Sequence, residues 1–113
     1  MARARAEART AQVAARWLTP GRVRLDVRAG GSRFPGADLL VATIAGTVLA
    51  EGRIPPLPPH AGWREELAFP ADLAALLVEV RVGRHTYRRV LISGQGWGEA
   101  SFPATYPYHE AGS

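Results

Sequence analysis

Apolar and polar residues alternate without a fault from Arg22 to Ala29, with Val23, Leu25, Val27 and Ala29 on one face and Arg22, Arg24, Asp26 and Arg28 on the other. A period of two is that of a half-buried β-strand. The same period returns at Leu76, Val78, Val80 and Val82 against Leu77, Glu79 and Arg81. Gly83-Arg84 then fits the Gly-X hairpin turn and leads into a strand from His85 to Ser93.

Between these two signals the pattern is less regular. Leu39 to Ile44 is apolar on both faces, which predicts a central strand, and Ala45-Gly46 predicts a two-residue turn into a strand from Thr47 to Ile54. That turn sets Val41 opposite Ala50 and Thr43 opposite Val48. Ile54 to Pro59 holds four prolines in six positions, so it cannot donate ladder hydrogen bonds at four of them and predicts a stiff, extended crossover between two sheets. Trp63, Leu67 and Phe69 share a face and give a further strand, ended by Pro70; Asp72 to Leu76 predicts one helical turn. A last short strand runs through Phe102, and after Pro103 the aromatic tail shows no period.

The N-terminus predicts a different element. Arg3 to Trp17 contains neither Gly nor Pro and is rich in Ala, and Pro20-Gly21 supplies a stop, so the segment predicts an α-helix. At 3.6 residues per turn, Ala6, Thr10, Val13, Ala14 and Trp17 form one narrow stripe flanked by Arg5, Arg9 and Arg16. So thin a stripe needs a partner, either its own domain, a second copy or another protein.

Composition agrees with a turn-rich β fold: 113 residues, 47% apolar, with 12 Gly and 9 Pro. There is no cysteine, hence neither a disulfide framework nor a thiolate metal site. No apolar run approaches the ~20 residues needed to span a bilayer, and the N-terminus lacks the apolar core of a secretory signal. The cytoplasm or a particle is therefore the expected location, with a mitochondrial presequence the weaker reading of the Arg-rich start. All 14 basic residues are Arg, and residues 1 to 33 carry eight of them against Glu7 and Asp26, a net of +6. Residues 34 to 113 carry a net of −2, so the basicity belongs to the N-terminal third.

Candidate chemistry is sparse. His60, His85 and His109 show no metal-binding spacing, and Ser93 lacks a nucleophile-elbow setting. Glu65 and Glu66 are strand neighbours and point to opposite faces, unlike a catalytic carboxylate pair. Gly94, Gly96 and Gly98 enclose Trp97 and precede no helix, so a phosphate loop is not formed. Arg53, Pro56 and Pro59 satisfy R-x-x-P-x-x-P, a form SH3 grooves accept, although a crossover explains the same prolines. The aromatics are not interleaved with the Arg cluster as base-stacking platforms would be, which argues against nucleic acid.

Taken in order, these features resemble a C2-type domain. That family shows a "DPYV"-like strand opening, a hairpin, a "W-x-E-x-F-x-F" strand and an "L-x-x-x-V" strand, with "G-E-x-x-I-P" later. Here Ala37 to Val41, Gly46 and Glu51 to Arg53, Trp63 to Pro70, Leu77 to Val80 and Gly98 to Pro103 occupy those places. The resemblance implies an eight-strand sandwich over residues 22 to 103. It does not imply calcium-dependent lipid binding, because a hard cation needs several oxygen ligands and only Asp38 matches such a position. Ig-like and viral tail or capsid sandwiches share the same strand rhythm.

The expected fold is thus mostly β: an antiparallel β-sandwich of about seven or eight strands, C2-like or Ig-like, with one N-terminal α-helix. Residues 1–20 form the arm, 21–103 the sandwich and 104–113 an extended or disordered tail. The expected function is a non-enzymatic interaction or assembly module, such as a subunit of a phage or phage-derived particle, that binds a protein partner or itself. The alternative is a calcium-independent adaptor on anionic membrane. Arg5, Arg9, Arg16, Trp17, Arg22, Arg24, Arg28, Trp97, Tyr106 and Tyr108 are the candidate partner-binding residues. No catalytic residue, metal, cofactor or small-molecule substrate is indicated.

Overall fold

The computed structural model describes residues 10–92 and 99–105. Eight strands follow in order: β1 (Thr10–Thr19), β2 (Arg22–Arg28), β3 (Ala37–Ala42), β4 (Val48–Ile54), β5 (Gly62–Ala68), β6 (Ala75–Val82), β7 (His85–Ile92) and β8 (Glu99–Thr105). They build two four-stranded antiparallel sheets, ordered β5-β2-β1-β8 and β4-β3-β6-β7, that pack as a β-sandwich. Inward residues from both sheets make a single apolar core, among them Val13, Leu25, Val41, Leu76, Val80, Leu91 and Phe102. Among the described side chains, no polar residue is fully buried there.

The expected N-terminal helix is not present among the described residues. Thr10–Thr19 is a central strand, hydrogen-bonded on one side to β2 and on the other to β8. Ala11, Val13 and Ala15 are buried in the core, while Gln12 and Arg16 are exposed, so the segment carries a period of two that small Ala side chains disguise. Helix propensity favours Ala by only a few tenths of a kcal/mol per residue, roughly, and two flanking ladders override it. The remainder of the predicted helix, residues 1–9, lies outside the described residues.

Pro20-Gly21 is accordingly a hairpin turn and not a helix stop. Thr19 pairs with Arg22 across it, and Gly21 takes φ +86°, as the third residue of a type II turn must. The turn is pinned to the β5 strand end, where the Phe69 amide donates to the Gly21 carbonyl at 2.7 Å. The predicted helical turn at Asp72 to Leu76 is likewise replaced by a turn in which the Leu73 amide donates to the Pro70 carbonyl, before β6 begins at Ala75.

The other hairpins fall nearer to expectation. Val82 pairs with His85 around the two-residue Gly83-Arg84 turn. Val41 faces Ala50 as expected, but the β3–β4 turn has three residues: the Thr43 amide donates to Thr47, and the Gly46 amide to Thr43, with Gly46 at φ +102°. This is a type I turn completed by a left-handed residue. The register consequently shifts by one, so Ala42, and not Thr43, faces Val48.

The proline segment does cross between the sheets. Ile54 and Leu57 are buried along it, and Leu57 exchanges both backbone hydrogen bonds with Phe34, at 2.8 and 2.9 Å. Phe34 is fully buried and closes that end of the sandwich. Among the described residues, no helix is long and apolar enough to cross a membrane.

Candidate functional site

Each sheet turns one face to the core and one outward, so period two assigns each strand residue to one or the other. On β5-β2-β1-β8, period two places Arg22, Arg24 and Arg28 of β2 outward, joined by Arg16 of β1 through the Arg16–Arg24 register and by Arg64 of β5 through Asp26. Four of the sequence-predicted arginines therefore share one face. Several are engaged within it: Arg22 bonds Glu66 at 3.0 Å, and Asp26 lies between Arg64 at 2.6 Å and Arg24 at 3.3 Å. The Arg24 Nε is close to Asp26 yet misaligned for a hydrogen bond, so that contact is electrostatic. Arg28 and Arg16 are exposed, with no ion pair among the described residues.

Trp17, expected among the partner-binding residues on the helix stripe, points away from this face. It pairs with Val23 and packs against the core, with its indole Nε1 buried and without a partner among the described residues. Arg5, Arg9, Trp97, Tyr106 and Tyr108 lie outside the described residues, as do Ser93, His109 and the glycines around Trp97.

The opposite outward face, on β4-β3-β6-β7, is organised in rows that cross all four strands. One row reads Val48, Ala42, Leu77, Val90. Every member is apolar; Val48 and Val90 are 50% and 49% exposed, Leu77 is half-buried, and the small Ala42 between them is covered by its neighbours, at 3%. Beyond the row, Ile92 and Ile44 are exposed too, at 45% and 58%. The next row reads Glu51, Leu40, Glu79, Arg88, and the third Arg53, Asp38, Arg81, Thr86. Glu79 bonds Arg88 at 2.9 Å and lies 3.8 Å from Arg81, and Asp38 bonds Arg53 at 2.9 Å. The face is apolar at one end and charged in both signs at the other.

Sequence reasoning missed the apolar row, although it left two traces. Leu39 to Ile44 is apolar on both sides because Leu40 and Ala42 belong to this outer face, and the Leu76-Leu77 doublet puts one leucine inside and one outside. The one-residue register shift at the β3–β4 turn also matters, since it leaves Leu49 and Ala50 packed against the core and turns Val48 outward.

Groups with catalytic or ligating potential are dispersed. Glu65 lies on β5 at one edge of its sheet, whereas His85 is on β7, which lies against β8 on the other flank. His60 sits in the turn after the proline crossover, at φ +64°. Among the described residues, no three His, Cys, Asp or Glu side chains are placed to hold a metal ion. Asp38, the one position matching a calcium-binding aspartate, is engaged with Arg53 on the sheet face. Of the proline motif, Arg53 pairs with Asp38 on the sheet face, and Leu57, within it, is buried. No family model, curated protein or solved structure matches this chain.

Proposed function

We propose that the protein is a non-enzymatic interaction or assembly module whose working surface is the outward face of β4-β3-β6-β7. The observation that carries this reading is the apolar row Val48, Ala42, Leu77, Val90, flanked by exposed Ile44 and Ile92. Scattered single apolar residues are ordinary on a surface, but exposed Val48, Val90, Ile44 and Ile92 gather at one end of one face with charges at the other, the arrangement of a protein contact. Assembly into a larger particle and a C2-like ancestry for the sandwich belong to the same reading; the eight-strand count supports the latter.

A photocrosslinking amino acid at Val90, with Asp72 on the β5–β6 connection as the control position, tests the module in its host cells. A discrete adduct from position 90 alone, identified by mass spectrometry, is expected. No adduct at either position overturns the reading.

The adaptor reading is favoured by one observation, the four arginines Arg16, Arg22, Arg24 and Arg28 on the other outward face. Its test is co-sedimentation with vesicles of anionic against neutral lipid over a salt series. Binding carried by exposed arginines weakens steeply with salt and disappears in an Arg16→Glu, Arg28→Glu double variant; salt-independent binding, or none, sinks it.

A further inference from the structure

Rows that cross a sheet in register impose a condition on whatever docks there. Consider two copies of the β4-β3-β6-β7 face laid against each other, with a two-fold axis between the sheets and parallel to the strands. That operation exchanges β4 with β7 and β3 with β6, and leaves each row facing its own copy. In the apolar row, Val48 then meets Val90 of the second copy, and small Ala42 meets large Leu77. In the charged rows, Glu51 meets Arg88 and Asp38 meets Arg81, each pair occurring twice. Ile92 meets the β3–β4 turn that carries Ile44. Of the other oppositions, Arg53 meets Thr86, and Leu40 meets Glu79, whose side chain is 15% exposed and already held by Arg88 and Arg81.

We propose that the occupant of this face is a second copy of the chain, docked in that two-fold arrangement. The proposal rests on the reading of the face as an interaction surface and names its partner. Self-complementarity is what an isologous contact requires: Asp38 and Glu51 stand one operation away from Arg81 and Arg88, and Asp38 and Arg88, which bond Arg53 and Glu79 within their own sheet, would be shared with the second copy. Aligned packing of two sheets, turned by about 30° through their twist, keeps the rows near the axis matched.

Area sets the strength. Four strands at about 4.8 Å spacing, some six residues long at about 3.3 Å each, give a face of roughly 400 Å² in plan. Two such faces, roughly 800 Å² together, fall below the standard size of stable interfaces, so the dimer is weak and reversible.

The experiment is sedimentation velocity of the full chain over a concentration series, repeated for Asp38→Arg, for Arg81→Asp, and for the two mixed in equal amounts. Wild type dimerises reversibly. Each single variant sets like charges opposite each other twice, and its self-association weakens by about tenfold or more. The mixture restores association, because the guanidinium introduced in the first variant then meets the carboxylate introduced in the second, while the native Arg81 of the first meets the native Asp38 of the second. Circular dichroism confirms that both singles remain folded. A wild type that stays monomeric throughout, or a mixture no stronger than its components, overturns the two-fold dimer. A Val90 crosslink to a different protein, or to the chain's own tail, would then name the occupant and leave the interaction module standing; the absence of any crosslink removes both.

Discussion

Tyr87 on β7 and Thr105 on β8 join the two sheets where no backbone ladder does: the Thr105 amide donates to the Tyr87 hydroxyl at 2.8 Å, and that hydroxyl donates to the Thr105 carbonyl at 3.2 Å. The Tyr87 ring stacks on Phe102 at 5.4 Å, and the Arg89 guanidinium lies 4.6 Å from the Phe102 ring centre. One side chain thus satisfies a donor and an acceptor on an edge strand. Tyr87→Phe keeps the stacking and removes both hydrogen bonds. A loss of about 1 kcal/mol is expected, since water can reach the freed groups, and chemical denaturation measures it. An unchanged midpoint would mean that the seam is held by the rings alone.

Gly21 and Gly46 both adopt positive φ, at +86° and +102°, but their surroundings differ. A Cβ on Gly21 would lie 2.8 Å from the Phe69 carbonyl oxygen, whereas one on Gly46 would meet nothing within 4 Å. Gly46→Ala therefore incurs the left-handed backbone penalty only, about 1 kcal/mol. Gly21→Ala adds a backbone clash at the point where the Phe69 amide is bonded, and a cost of about 2–4 kcal/mol is expected. Thermal unfolding of the two variants side by side decides this, and equal losses would show that the turn moves freely away from β5.

Much of the sandwich is legible in the sequence because a charged outer residue on every second position marks β2 and much of β6. β1 is not legible in the same way. In Ala11 to Ala15 the inward and outward residues are mostly Ala, so size and polarity carry little period, and only pairing with β2 and β8 decides the conformation. Trp17 looks like a surface anchor beside Arg16 until alternation is imposed, which turns it inward opposite Val23. The apolar row is hidden for a third reason: its members come from four strands, and their alignment depends on a one-residue register shift at a turn whose length is ambiguous in sequence. The arginine face, by contrast, is contributed largely by a single strand and can be read directly.

The placement of β1 makes a sharp prediction about truncation. A chain beginning at Gly21 would keep every residue of the expected sandwich, yet it loses the strand between β2 and β8 and, with it, Ala11, Val13 and Ala15 from the core. Both neighbours would be left with unpaired edges, and β8 would have no backbone partner. This truncation is expected to show no cooperative unfolding transition, whereas a chain beginning at Thr10 unfolds cooperatively. A folded chain lacking residues 1–20 would contradict the topology.

Leu76 and Leu77 are adjacent in sequence and opposite in consequence. Leu76 is fully buried, paired with Leu91, and its truncation leaves a hole in the core; Leu76→Ala is expected to cost about 2–5 kcal/mol. Leu77 stands on the outward face between Ala42 and Val90, half-buried by its strand neighbours. Leu77→Ala removes no core contact, and the cost to the folded monomer is expected to be about 1 kcal/mol or less. Association should respond in the reverse order, because in the proposed dimer Leu77 is the large side chain that fills the space over Ala42 of the second copy. Denaturation at a concentration below dimerisation reports the first effect, and sedimentation above it reports the second. If Leu77→Ala destabilised the monomer as much as Leu76→Ala, the outward face would be part of the core, and the apolar row would need no partner.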